Sequence, residues 1–427
     1  MFDLREEGPT VDRSNRLTNR GRSYGTRLCA LACAAGLVVT GCGSSKSSSS
    51  AGSKKLTIGI SLSLTGDFAD PGKAAQRGYQ LWADHINAKG GLLGRKVQLK
   101  VVDDLSSPNQ VVTNYTNLIT RDHADLVFGP FSSLLTAPAG QIAKRFGYSF
   151  LEPAGGGPKV FAEHLSNLFF VQPAPVVASG NVFADYILSL PAGQRPATAA
   201  YPSLDDPFSS PIADSIRARF EAAGIRTVYK GIYPAEAPDL TPVMSKVAAA
   251  KPDVIVSGTQ SNDAYQQVKA LIQLKFSPKY MFMSNGSNSP LEFPDKVGVN
   301  NTTGIFGAGD WFPGSPEPGS AQFTTEYTSK YGGTAQQIDN TSAEAYACGQ
   351  LLELVAAKTG KVDNATIIST LHSGSWPTLL GSLSWDANGA PTGSFHLEQW
   401  IDHKLVPVFP ASIAQHAPLA PKPAWNG

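Results

Sequence analysis

Cysteine is scarce in this chain of 427 residues: there are four, and Cys29, Cys33 and Cys42 all lie near the start. Only Cys348 stands in the body of the chain, which excludes an internal disulfide framework. It sits beside Ala347 and Gly349 in a helical stretch, where a buried small hydrophobe is a better reading than a nucleophile. The seven histidines are scattered, with no pair at a helical metal-ligand spacing, so surface or core roles are expected and no metal. Charge of one sign is lacking too. The 35 Lys and Arg nearly cancel the 34 Asp and Glu, and no basic field of the kind nucleic acid requires is present. Past the first forty or so residues no apolar run is long enough to span a bilayer. The Gly-x-Ser-x-Gly elbow, the Walker loop and the spaced dinucleotide fingerprint are all missing. Asp103-Asp104 comes nearest to a carboxylate pair, but adjacent strand residues point to opposite faces. No catalytic set and no cofactor are expected.

What is present begins with Arg20, Arg22 and Arg27, followed by the apolar run Leu28 to Val39 and then Thr40, Gly41 and Cys42. This is the charged, apolar and small-residue order of a secretory signal peptide. Val39-Thr40-Gly41-Cys42 resembles a lipobox, in which the signal is cut before a cysteine that carries a diacylglycerol. No consecutive arginines occur, which argues against a twin-arginine signal. The Ser-rich stretch Ser44 to Lys55 reads as a flexible spacer. The expected organisation is a signal peptide with an N-terminal extension over residues 1–41, then lipidated Cys42 and its linker over residues 42–55. Cleavage would remove six Arg and four acids, taking the formal charge from +1 to about −1.

From Leu56 strands and helices alternate every 25 to 30 residues or so, the rhythm of a doubly wound α/β sheet. Leu56 to Leu62 is the first strand, and Ala75, Tyr79, Trp82 and Ile86 form the stripe of the helix after it. Val97, Leu99 and Val101 alternate as a second strand, and Ser107 caps a helix with Pro108 in its first turn. The stretch Asp125 to Gly157 holds two apolar runs, Asp125 to Phe128 and Tyr148 to Leu151. Ala139, Ile142, Ala143 and Phe146 fall at helical spacing between them. Such a unit makes parallel strands, so both loops leave the carboxyl edge of one sheet, where open α/β proteins keep ligand crevices. Ser132 and Ser133 lie on the first loop and Ala154 to Gly157 on the second. Hydroxyls and closely approaching backbone N–H groups suit an oxygen-rich group, although ordinary βα turns use the same residues. Further strands are expected at Thr198 to Tyr201, Thr227 to Ile232, Asp253 to Ser257, Tyr280 to Met283 and Gly304 to Ala308. Leu383 to Trp385, Phe395 to Trp400 and Leu405 to Phe409 read as a β meander. Residues 416–427 read as a loose Pro-rich tail.

The block from Ile58 to Val112 carries Thr65-Gly66 after the first strand and the turn Ile86-Asn87-Ala88-Lys89-Gly90-Gly91. Gly94-Arg95 follows, and an Asp-Asp pair precedes Pro108. In this it resembles the opening of bacterial periplasmic binding proteins of the branched-chain amino acid (leucine/isoleucine/valine) class, and the likeness continues to about His403. The resemblance implies a type I periplasmic binding protein fold, two doubly wound Rossmann-like α/β lobes joined by a three-crossing hinge. Lobe 1 would be residues 56–170 plus 312–372, and lobe 2 residues 171–311 plus 373–415. It also implies an ABC transporter substrate-binding lipoprotein, not an enzyme. Such a protein is a monomer held on the outer side of the cell membrane through Cys42, closing on a small-molecule ligand for an ABC permease. A ligand sensor of the same fold, feeding a signalling receptor, is the alternative, and an enzyme on an α/β scaffold is a second rival.

Residue by residue, Ser133, with Ser132 beside it, falls on the serine that holds the ligand carboxylate in that family. Ala154, Gly155 and Gly156 fall on a loop of backbone contacts, with Gly156 in place of a threonine. Phe208 and Gln260 each replace a pocket tyrosine. The acid that pairs with an amino acid's ammonium becomes Gly286, next to Asn285, and the first-loop tyrosine becomes Pro71, whose space Phe68 could fill. Asp310-Trp311 stands at a crossing, with the tryptophan placed either to stack on a ligand or to pack the hinge. A buried ammonium without a counter-ion is costly, so the implied ligand is a small organic acid or a neutral polar or aromatic metabolite. An amino acid with a rearranged ammonium site remains open if Asp67, Glu152, Asp205, Asp206, Asp263 or Asp310 supplies the charge.

Overall fold

Leu56, Ile58, Ile60 and Leu62 all have zero exposure, and Gly59 and Ser61 on the opposite face are buried too, which places the first strand inside a sheet covered on both faces. In the computed structural model, which describes residues 55–425, that sheet has five parallel strands. They are β1 (Leu56–Leu62), β2 (Val97–Asp103), β3 (Leu126–Phe128), β4 (Phe150–Glu152) and β5 (Leu168–Phe170), in the order β2-β1-β3-β4-β5. Ser107 caps the helix Pro108–Thr120, its side chain accepting from Gln110 N, as its position before a proline predicts. The Asp pair is structural. Asp104 is buried and accepts from Ser63 Oγ at 2.6 Å, while Asp103 accepts from Thr65 Oγ1 at 2.7 Å, so both shape the loop after β1.

The second sheet collects β6 (Thr198–Leu204), β7 (Arg226–Tyr233), β8 (Val254–Ser257), β9 (Tyr280–Met283) and β10 (Ile305–Gly309). After a separate hairpin of β11 (Trp376–Thr378) and β12 (Gly381–Leu383), the chain adds β13 (His396–Ile401) and β14 (Lys404–Phe409) antiparallel at its edge. The order is β14-β13-β10-β9-β8-β6-β7. Two α/β lobes result, and the chain crosses between them more than once.

Helices Ala69–Ala88 and Asn340–Thr359 pack together in the first lobe although they are distant in sequence. Gly78 and Gly349 permit the approach: a Cβ on either would stand 2.0 Å from Ser342 O or from the Trp82 indole. Trp82 Nε1 donates to Glu353 Oε1 at 2.8 Å across the same contact.

Two expectations change. The hairpin β11–β12 belongs to the first-lobe core with Leu371 and Trp385, not to the second lobe from residue 373 onward. Trp385 donates to Phe170 O at 2.7 Å and meets Phe169 edge-on, so the third crossing follows Trp385 and the meander shrinks to β13 and β14. An alternating apolar pattern buries a face but does not say against which lobe. The tail is also docked, at least to residue 425. Gln399 brackets Leu419, donating to its carbonyl at 2.8 Å and accepting from its N–H at 2.7 Å, and Trp425 Nε1 donates to Phe276 O at 2.6 Å. The signal, the lipobox with Cys42 and nearly all of the spacer lie outside the described residues.

Candidate functional site

The loops after β3 and β4 meet at the carboxyl edge of the first sheet. Ser132 sits there with φ +84°, a left-handed conformation uncommon for a residue with a side chain. Its N–H donates to Ala154 O at 2.7 Å and its Oγ accepts from Leu134 N at 3.2 Å, which ties the two loops together. Ser132 and Ala154 both line a cavity of about 70 Å³ between the lobes.

Their neighbours do other work. Ser133 Oγ accepts from Gly157 N at 2.9 Å and does not reach the cavity. Gly155 and Gly156 do not line it either. A Cβ on Gly155 would stand 2.1 Å from Thr136 Oγ1, and one on Gly156 would stand 2.3 Å from the Phe170 ring, so both let the loop lie flat. Ala154 N already donates to Glu152 Oε1 at 2.8 Å. The amides of Ala154 and Gly157, expected to hold a ligand carboxylate, are thus used by the chain itself. Beneath them Glu152 is fully buried, and burial pushes its pKa up to about 8 against the pull of the Ala154 N–H.

From the second lobe come Phe208, Gln260 and Asn285, all lining the cavity. Gln260 Nε2 donates to Asp206 Oδ2 at 2.8 Å and its Oε1 accepts from Asn285 Nδ2 at 2.9 Å, so its carboxamide is held on both sides. Gly286, with φ +86°, has no room for a side chain: a Cβ would stand 2.6 Å from that of Ala264. Phe68 packs on Phe131, ring centres 5.9 Å apart, and faces an adjoining outer cavity rather than this one. Trp311 is 1% exposed, edge-on to Phe323 at 5.3 Å, with Nε1 donating to Ser320 Oγ at 2.9 Å. It is a core residue of the first lobe, which settles its role in favour of packing.

Of the six acids left open by the sequence, only Asp310 enters the cavity. It follows β10, is 9% exposed, and has the Glu344 carboxyl as its side-chain partner. Opposite stands Glu344 of helix Asn340–Thr359, 6% exposed, with Oε2 unpartnered beyond that contact. Burial, then the charge of the other, raises the Glu344 pKa; burial likewise raises that of Asp310. Glu344 was missed by the sequence reading, though a signal existed: a lone acid in Ser342-Ala343-Glu344-Ala345-Tyr346-Ala347, with Asn340 and Cys348 one turn away and no cation. Phe131, Phe395 and Gln172, also lining, carried no such signal. Among the described residues no three His, Cys, Asp or Glu side chains group to hold a metal.

The two-lobed fold is shared with proteins of known structure. LivJ from Streptococcus pneumoniae, solved with isoleucine, superposes with a TM-score of 0.73 at 21% identity, covering 82% of this chain and 98% of its own. A solute-binding protein of an ABC transporter from R. palustris, solved with benzoate, gives 0.72 at 19% identity over 87% of this chain and 98% of its own. At that identity the likeness is one of fold. In sequence, the chain is 26% identical over 370 residues to the Leu/Ile/Val-binding protein BraC3 of Rhizobium johnstonii, spanning 82% of this chain and 93% of that protein. Residues 55–404, nearly the whole two-lobed body, match the family described as periplasmic binding protein, and the chain belongs to that family.

Proposed function

We propose that this is an extracytoplasmic, lipid-anchored solute-binding protein that captures a small polar or carboxylate-bearing metabolite between its lobes and delivers it to an ABC importer. The observation that carries the reading is the interlobe cavity. Ser132 and Ala154 of one sheet face Phe208, Gln260 and Asn285 of the other across it, so a ligand there touches both lobes at once. The lobes already meet beside it, Asn262 Nδ2 donating to Asp67 Oδ1 at 3.4 Å. Hinge closure of this kind couples ligand capture to a shape that a permease can recognise. The similar structures with named ligands, isoleucine in one and benzoate in the other, are in keeping with a small metabolite.

The test is mass spectrometry of whatever small molecule copurifies with the protein, followed by its return to ligand-free protein. A ligand that binds the closed form raises the melting temperature by mass action and lowers the radius of gyration. An unchanged radius of gyration at saturation would count against closure. Anchoring has its own test. Two acyl chains hold a protein at a membrane where one holds it weakly, so Cys42→Ala should leave an uncleaved precursor or release the protein from the membrane fraction. Normal maturation and fractionation of that variant would refute the lipobox.

A further inference from the structure

Building on the solute-binding reading, we propose that Asp310 and Glu344 form a cation subsite, and that the ligand is an organic amine of net positive charge rather than an acid or a zwitterion. Two buried carboxyls held against each other cannot both ionise without cost unless something supplies a counter-charge. Asp310 and Glu344 have each other for a partner; beyond that contact neither oxygen of Asp310 nor Oε2 of Glu344 is satisfied, and the carboxamide nitrogen of Asn340, itself 8% exposed and lining the same cavity, has no partner. None of the described residues lining the cavity is Lys, Arg or His.

The surroundings act in both directions on Asp310, His396 easing its negative charge and Glu398 adding to it. Behind Asp310, His396 Nε2 lies 3.2 Å from Glu398 Oε1 and is engaged there, while Glu398 Oε2 is itself without a partner. Asp339 raises the charge burden on Glu344, and Gln172 is the polar group that eases it. A zwitterion would have to place its carboxylate in this field, with the Ala154 and Gly157 amides already taken by Glu152 and Ser133. An amine meets no such obstacle, and Phe131, Phe208 and Phe395 receive its apolar part.

Burial raises both carboxyls, so without ligand the pair retains a proton near neutral pH. The ligand ammonium takes that proton's place as the donor between the two carboxylates, and the displaced proton goes to solvent. No covalent bond changes.

Three compounds on one isobutyl skeleton separate the possibilities: 3-methylbutylamine, L-leucine and 4-methylpentanoate. Calorimetric titration of the ligand-free protein near pH 7, in two buffers of different ionisation enthalpy, should rank the amine tightest with up to about one proton released per molecule bound. Asp310→Asn and Glu344→Gln should each weaken the amine by about tenfold or more and abolish the proton release. Both should raise the melting temperature of the ligand-free protein, because an unpaired buried charge is removed, an effect that a residue serving only the fold would not show. Tighter binding of 4-methylpentanoate than of the amine, no heat from the amine at millimolar concentration, or full amine affinity in Asp310→Asn would each overturn the subsite. A copurified molecule without a basic nitrogen would overturn it too while leaving solute binding intact. Failure of the solute-binding reading looks different, as no small molecule recovered and no change of shape with any ligand.

Discussion

Gly349→Ala is expected to lower the unfolding free energy by about 3 kcal/mol, the upper end of what overpacking costs. The added Cβ would stand 2.0 Å from Trp82 Cδ2 and 2.2 Å from its Cγ. The indole has nowhere to go. It has no exposed surface, meets Phe128 edge-on at 5.9 Å, and donates from Nε1 to Glu353 on the helix that carries Gly349. The helices Ala69–Ala88 and Asn340–Thr359 must therefore separate, which loosens the first-lobe core that both of them cover. Gly193→Ala is the control, since nothing lies within 4 Å of a Cβ there, and its effect should stay within about 0.5 kcal/mol. Urea unfolding reads both. A Gly349→Ala midpoint close to that of the native chain would mean that the helix pair tolerates displacement.

The ligand-free protein should also lose stability as pH rises from about 4.5 to 8, and Glu152→Gln should remove part of that slope. Glu152 is fully buried, and its folded pKa of about 8 lies above the ordinary carboxyl value of 4.5. Between those values the folded chain keeps a proton that the unfolded chain has released. Its contribution is therefore fully present below 4.5 and lost as pH climbs through 8, by up to about 1.4 kcal/mol per pH unit. Asp263 behaves alike over a lower window, from 3.8 to about 7, because burial outweighs the hydrogen bond from Tyr233. Glu152→Gln keeps an acceptor for the Ala154 N–H. Denaturation at a series of pH values measures the effect. A slope above pH 6 that is the same in both proteins would show that Glu152 ionises in the fold without penalty.

Part of the candidate site was legible from loop position, at Ser132 and Ala154, and part only through the family resemblance, at Phe208, Gln260, Asn285 and Asp310. Ser132, Ala154, Phe208, Gln260, Asn285 and Asp310 were all read from the sequence and all line one cavity. Ser133, Gly155 and Gly156 lie next to them in the chain and do not. Sequence places a residue on a loop to within a position or two, but the direction of a hydroxyl depends on which partner reaches it first, and for Ser133 that partner is Gly157. The expected organic acid rested on the absence of an acid at Gly286. That absence stands, and the geometry forbids a side chain there, but carboxylates at Asp310 and Glu344 enter from another side.

Local information by itself determined the strand limits of β1, the Ser107 cap, the α/β alternation and the carboxyl-edge position of the binding loops. Each follows from side-chain period, cap chemistry or the geometry of a single βα unit, interactions that span a few residues. Only the tertiary structure decided which lobe takes the hairpin β11–β12, that Trp311 packs inward, that the tail docks, and that Asp310 and Glu344 face one cavity. Those outcomes depend on contacts between residues tens to hundreds of positions apart. An apolar or acidic side chain in the sequence carries a demand for a partner, and only the folded chain says which partner meets it or, at Asp310, that another acid does.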